Sequence, residues 1–281
     1  MRSQHRASGS DRSGAALGGV LLFLIIAAVL GTIVARQRWW FPPLASAHGA
    51  EIDRLFIITF GIISVAFVLV HGALALLVWL YRERGEGRAS YWHEHRLLEA
   101  AYTIVPAVVM AGLTLTAAGL WSRVYSAPPP DALVVEVRAE QFGWKARYPG
   151  PDGSFGRIDP KQFHPTQNRM ALDRADPAGS DDLVVDISTG ELHLVVNRPA
   201  EIRLRSKDVL HSFFVPAFRV KQDAVPGITL STWFTPTRTG SYEIACAELC
   251  GVGHYVMRGK IVVQTQQEFD AWLAAQARPD Y

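Results

Sequence analysis

Hydrophobic and polar positions divide this chain into two parts that follow different periods. Residues 13–35, 55–81 and 100–122 contain no Lys, Arg, Asp or Glu. A bilayer core of roughly 30 Å takes about 20 apolar residues as helix, so each run is long enough to span, and helices are expected over 15–35, 55–81 and 98–122. Pro128, Pro129 and Pro130 then stop the last helix. Beyond them the apolar runs shorten to 133–139, 192–196, 201–205, 229–234, 241–245 and 260–263, separated by Gly and Pro. Short, evenly spaced runs of this kind predict an all-β sandwich or barrel. Thr265 and Glu268, placed ahead of Phe269, Trp272 and Leu273, have the spacing of a capping box. A short amphipathic helix is therefore expected to close the chain.

Charge orients the spans. Arg82, Arg84, Arg88 and Arg96 lie between the second and third runs, and Arg2, Arg6 and Arg12 precede the first. Arginine-rich flanks stay on the cytoplasmic side, so two spans separate two inward segments and the third delivers residues 123–281 to the outer side. The expected division is 1–47 for an N-terminal signal or extra helix, 48–125 for a helical hairpin, and 126–281 for an outer domain. Ala45-Ser46-Ala47 has the form of a cleavage site. The first run is longer than a usual signal core, however, and Trp39 and Trp40 suit a membrane interface. That balance favours a retained helix.

Residues 150–182 are rich in Pro, Gly and Asp and show no period, so they are read as an insertion, with its aspartates Asp152, Asp173, Asp176, Asp181 and Asp182 as a possible acidic patch. His164 within it is read as solvated, and His71 in the second span as a helix-bonded residue. The net charge of +2 is small, and no nucleic-acid partner is expected. No Cys-x-x-Cys-His haem attachment motif occurs.

The densest chemistry lies in Cys246, Cys250, His254 and Met257, four soft donors within twelve residues, and the chain has no other cysteine. Soft sulfur and imidazole donors suit copper and zinc, not Mg, Ca or Mn. A disulfide across so short a loop would be strained. Zinc would leave Met257 unexplained, and a single blue copper would leave one cysteine surplus. Two coppers bridged by both thiolates would use every donor, given a second histidine.

His211 opens a segment running through Phe213, Phe214, Pro216 and Asp223 to Pro226-Gly227. With the cysteine loop it resembles subunit II of the haem-copper respiratory oxidases, the cytochrome c oxidase family. The resemblance implies a cupredoxin-like Greek-key sandwich behind transmembrane helices. It also implies a dinuclear copper centre, CuA, on His211, Cys246, Cys250, His254 and Met257 with the backbone carbonyl of Glu248. The Glu248 side chain would reach a Mg or Mn ion shared with subunit I, and Asp223 would lie at that interface. Glu99, in Leu98-Glu99-Ala-Ala-Tyr102-Thr103-Ile-Val-Pro106, resembles the glutamate at the cytoplasmic mouth of the family's proton path. Gln141-Phe142-Gly143-Trp144 resembles the aromatic patch where electrons arrive, with Phe142 in place of the usual tryptophan. Expected partners are oxidase subunit I, further oxidase subunits, and a c-type cytochrome or another respiratory complex as donor. The expected location is the bacterial inner membrane with the β domain in the periplasm. A membrane-anchored copper-binding or delivery protein is the alternative.

Overall fold

A computed structural model describes residues 7–82, 91, 93–173 and 175–276. Arg2, Arg6, Arg84 and Arg88, used above to orient the spans, lie outside these residues.

Three long helices come first: α1 (Ala7–Arg38), α2 (Ala47–Leu80) and α3 (Arg96–Val124). Each contains a stretch long and apolar enough to cross a membrane, with mean hydropathy of 2.8, 2.5 and 1.8 in order. Their apolar side chains are largely exposed within the molecule, as expected of surfaces that face lipid. His71 bonds through Nδ1 to the carbonyl of Phe67 one turn back, at 2.9 Å.

α2 begins earlier than its expected start at residue 55. The difference has a physical cause, because its first turns carry charged residues that find partners. Asp53 accepts two hydrogen bonds of 2.9 Å from the Arg219 guanidinium, and Glu51 accepts two from Arg123, of 3.1 and 2.6 Å. Charge ended the hydrophobic run without ending the helix.

The chain divides into two compact units, Met1–Phe41 with Arg54–Ala118, and Pro42–Asp53 with Gly119–Tyr281. The connection between α1 and α2 is thus part of the β unit. Ala45 N–H donates to Ala217, Ala47 N–H to Thr235, and the Ala45 carbonyl accepts from Thr237. Ser46 is buried and its hydroxyl donates to the Phe218 carbonyl at 2.6 Å. The Ala-x-Ala triplet that resembles a cleavage site is built into the fold.

The β unit holds ten strands among the described residues, in two five-stranded sheets. The first runs β3 (Leu183–Asp186), β2 (Gly143–Tyr148), β1 (Leu133–Glu140), β5 (Ala200–Ser206), β8 (Leu230–Phe234). The second runs β4 (Leu192–Val195), β10 (Arg258–Gln264), β9 (Gly240–Cys246), β6 (His211–Val215), β7 (Val220–Ala224). β1 with β5 and β4 with β10 pair in parallel, and the remaining pairs are antiparallel. Six of these strands match expected runs, while β2, β3, β6 and β7 come from segments not read as strands.

Alternation packs Val135, Val137 and Ala139 of β1 and Trp144, Ala146 and Tyr148 of β2 into the core with Ile202, Leu204, Phe213, Ile244 and Ile261. α4 (Gln266–Ala275) closes the chain with the expected reciprocal capping box between Thr265 and Glu268.

The other face of β1 and β2 is also buried. Residues 150–182 fold over it through two 3-10 turns, Pro160–Gln162 and Pro177–Gly179, rather than forming a loose loop. Asn168 staples the cover, donating to the Gln162 and Leu172 carbonyls and accepting from Leu172 N–H. The expected acidic patch does not form from Asp173, Asp176 and Asp182. Asp182 is fully buried against Arg147, and Asp173 and Asp176 both pair with Arg157.

Candidate metal centre

The second sheet brings the soft donors together. Cys246 ends β9, and β6 runs antiparallel beside it with Phe213 opposite Cys246, so His211 at the start of β6 stands next to the cysteine loop. That loop closes back on itself. Cys246 N–H donates to the Met257 carbonyl, Met257 N–H to His254, and His254 N–H to Gly251. Gly251 adopts φ 130, a conformation that side chains rarely adopt. A Cβ on Gly253 would stand 2.4 Å from the Phe142 ring, so glycine lets that ring lie against the loop.

Five side chains converge. Cys246 Sγ lies 3.9 Å from Cys250 Sγ and 3.9 Å from His211 Nδ1. Cys250 Sγ lies 3.7 Å from His254 Nδ1 and 3.7 Å from Met257 Sδ. The Glu248 carbonyl oxygen is 3.1 Å from Cys246 Sγ, on the same side as the thiols. Both cysteines are free and buried, and their separation is far beyond a disulfide's roughly 2.05 Å. His211 and Met257 are buried too, while His254 is half-buried. Burial, then the neighbouring Cys246, pushes the Cys250 thiol up to about 11. A thiol so placed resists ionising on its own, and a bound cation is what would hold Cys250 as a thiolate. The donor set therefore fits a soft metal: two sulfurs able to bridge, two imidazoles and a thioether.

The surroundings orient the donors. Asp208 Oδ1 accepts from His211 Nε2 at 2.8 Å, which leaves Nδ1 directed at Cys246. Burial opposes ionisation of Asp208, but hydrogen bonds from His211 and from the N–H groups of Gln141 and Val209 hold its carboxyl below the usual range. Gln141 also donates through Nε2 to the Cys250 carbonyl at 2.6 Å. Neither Asp208 nor Gln141 was among the expected site residues. Their one sequence signal is proximity, an acid three residues before a ligand and an amide beside Phe142.

The remaining expected residues are placed as follows. Phe142 is partly exposed against the loop, but Trp144 is wholly buried, 6.3 Å from the His211 ring and 5.9 Å from Phe213. Of the two rings expected where electrons arrive, Phe142 thus reaches the surface and Trp144 does not. Period two explains it, because Trp144 sits on the core-facing side of β2. The Glu248 carboxylate lies 3.2 Å from Lys221 Nζ, which also pairs with Asp223 at 3.1 Å. Hydrogen bonding from Ser212, then Lys221, holds Asp223 below the usual carboxylate range, and the two carboxylates hold Lys221 above its own. Glu99 lies in the first turn of α3, where its Oε1 accepts from His95 N–H at 3.2 Å and His95 Nδ1 accepts from Leu98 N–H. That is a reciprocal helix cap.

Comparison with known proteins decides the family. Residues 21–118 match the family model described as cytochrome c oxidase subunit II, transmembrane domain, and residues 175–266 match the model of its periplasmic domain. The alternative cytochrome c oxidase subunit 2 of Bradyrhizobium diazoefficiens is 37% identical over 257 residues, covering 92% of this chain and 90% of the relative. This chain belongs to the cytochrome c oxidase subunit II family. Cytochrome c oxidase subunit 2 of Thermostichus vulcanus is 30% identical over 268 residues, covering 88% of this chain and 82% of that one. Among solved structures, the periplasmic domain of subunit II of cytochrome oxidase from Bradyrhizobium japonicum matches with 29% identity and a TM-score of 0.38, over 53% of this chain and 95% of that one.

As a subunit II, the chain is part of a haem-copper oxidase complex, anchored by apolar helices with a cupredoxin-like domain on the outer side. The two cysteines, His211 and their neighbours form a cluster able to hold a metal ion.

Proposed function

We propose that this chain is the electron-input subunit of a terminal oxidase in a bacterial inner membrane, accepting electrons from a c-type cytochrome and passing them to haem in subunit I. The observation that carries this reading is the convergence of His211, Cys246, Cys250, His254 and Met257, each sulfur within 3.9 Å of another donor. These side chains, with the Glu248 carbonyl, would hold a dinuclear CuA centre. When bound, that centre supplies a one-electron carrier whose charge is spread over two metals, so little rearrangement accompanies transfer.

The residues contribute binding, orientation and exclusion of water. Buried His211, Cys250 and Met257 close the inner side of the site, and Asp208 and Gln141 fix the donors from behind. With five side chains and a carbonyl as donors, the site would leave no open position for oxygen of the kind a catalytic metal keeps. Leu249, Val252, Tyr255 and Val256 of the same loop are exposed, and with Phe142 they offer an apolar face on which a donor can dock. Trp144 lies beneath the His211 ring and acts through packing, not through contact with the donor. Glu248 and Asp223 present carboxylates toward the shared Lys221; opposite subunit I, Glu248 would help hold a Mg or Mn ion. Glu99 is assigned to the mouth of the proton path in subunit I, alongside its capping role.

Similarity to a relative named as a cytochrome c oxidase supports a cytochrome donor. The exchangeable site expected of a copper-delivery protein fits poorly with donors this deeply buried. The purified chain should bind two coppers and give a delocalised mixed-valence electron paramagnetic resonance spectrum. One copper per chain would overturn the dinuclear assignment.

A further inference from the structure

The charged face beneath the insertion carries more cations than carboxylates. Glu140 is approached by Arg138, Lys145, Arg169 and Lys207, and Glu136 by Arg147 and Arg205. Among the described residues, two further carboxylates, Asp182 and Asp186, join this network. Six cations thus share four carboxylates, and the surplus is concentrated in one place. Arg138, Arg205 and Lys207 line a cavity of about 340 Å³ that has no carboxylate residue in its wall.

Arg138 is only 6% exposed, yet its Nε and Nη2 have no hydrogen-bond acceptor. Glu140 Oε2 stands 3.7 Å from Nη2, beyond hydrogen-bond reach. Arg205 Nε is also buried without an acceptor, 3.4 Å from Glu136 Oε2. Buried donors left unfilled are uncommon and costly. Burial lowers the Arg138 pKa even with Glu140 and Glu136 nearby.

The opposite wall is apolar and comes from the insertion: Ile158, Pro160, Phe163 and Ala171. The Lys207 ammonium sits 4.0 Å from the Phe163 ring centroid, at the junction of the two walls. We propose that this cavity binds a small amphiphilic oxyanion, a carboxylate or phosphate on an apolar, ring-sized body. Its oxygens accept from Arg138, Arg205 and Lys207, and its body rests on Phe163 and Ile158. A volume near the lower end for ligand pockets limits the occupant to a small molecule.

The test is calorimetric titration of the full chain in detergent with benzoate, phenyl phosphate and the neutral control benzyl alcohol. Benzoate or phenyl phosphate should saturate at one site per chain, and benzyl alcohol should not. Arg138→Leu and Lys207→Gln should each weaken binding at least tenfold, and Phe163→Ala severalfold, with the count of free thiols unchanged. Lys207 is partly exposed, so Lys207→Gln decides the matter even if Arg138→Leu fails to fold. Absence of saturation, equal binding of benzyl alcohol, or unchanged affinity in Lys207→Gln would each overturn the proposal.

Discussion

Two buried polar regions of the β unit solve opposite problems. At the metal centre the polar atoms do not satisfy one another: two thiols, two imidazoles and a thioether crowd together with few good hydrogen bonds among them. Under the insertion, most charges meet opposite charges. Arg147 pairs with Glu136 at 3.2 Å and Asp182 at 3.1 Å and donates to the Gly156 carbonyl at 2.8 Å, all buried. The first region requires something from outside the chain to complete it, whereas in the second the chain supplies opposite charges around Arg147 and falls short of them on the side of Arg138, Arg205 and Lys207. Buried polarity by itself does not mark a functional site; what marks it is whether the chain supplies the partners.

The sharpest way to break this contrast is to remove a donor from the incomplete region. Cys250→Ser deletes the sulfur that stands within 3.9 Å of Cys246, His254 and Met257. Loss of the two-copper stoichiometry and of the mixed-valence spectrum should be complete, while the unfolding temperature of the copper-free chain should change little. A copper content of two in this variant would show that Cys250 is not a ligand.

The paired region around Arg147 should respond in the reverse way. Arg147→Met leaves Glu136 and Asp182 buried beside an apolar side chain. Breaking a buried pair by removing one partner costs about 3–5 kcal/mol, which for a domain of this size lowers the melting temperature by about 10 °C. Copper binding by chain that still folds should be unaltered. A melting temperature within a degree or two of the parent would mean that these ion pairs contribute nothing to holding the cover down.

The same contrast explains what the sequence revealed. Cys246 to Met257 was legible because four unusual donors lie within one loop, and His211 followed from the family pattern around it. The three spans were legible because lipid-facing helices need no partner to be recognised. The strand β6 was not, since His211–Val215 is buried on both faces and its sequence shows no alternation, and β2 was passed over although Trp144, Ala146 and Tyr148 alternate with Lys145 and Arg147, because the segment was read only for its aromatic residues. Lys145 and Arg147 look like solvent-facing positions until residues 150–182 are laid across them. Trp144 matches a position of the family's aromatic patch, yet its ring points into the core, on the face of β2 opposite Lys145 and Arg147. Asp208 escaped notice because its role depends on Gln141, 67 residues away, and on a turn that brings its carboxylate to His211.

The smallest effect tests how complete the charged region is. Asp182 is fully buried, and that burial pushes its carboxyl up to about 6 even though Arg147 and the Gly156 N–H favour the ionised form. An unfolded chain releases this proton near the ordinary aspartate value of 3.8. Between those two values the folded chain holds a proton that the unfolded chain has lost, so stability must fall as pH rises from about 4 to 6. A gap of about two pH units corresponds to at most about 3 kcal/mol, and above pH 6 the loss is constant. Asp182→Asn keeps an acceptor oxygen for Gly156 N–H and removes the titration. The difference in unfolding free energy between variant and parent should therefore grow in the variant's favour across that window and then level off. A difference that stays flat from pH 4 to 7 would mean that Arg147 fully offsets the burial of Asp182, making this face better satisfied than the raised carboxyl implies.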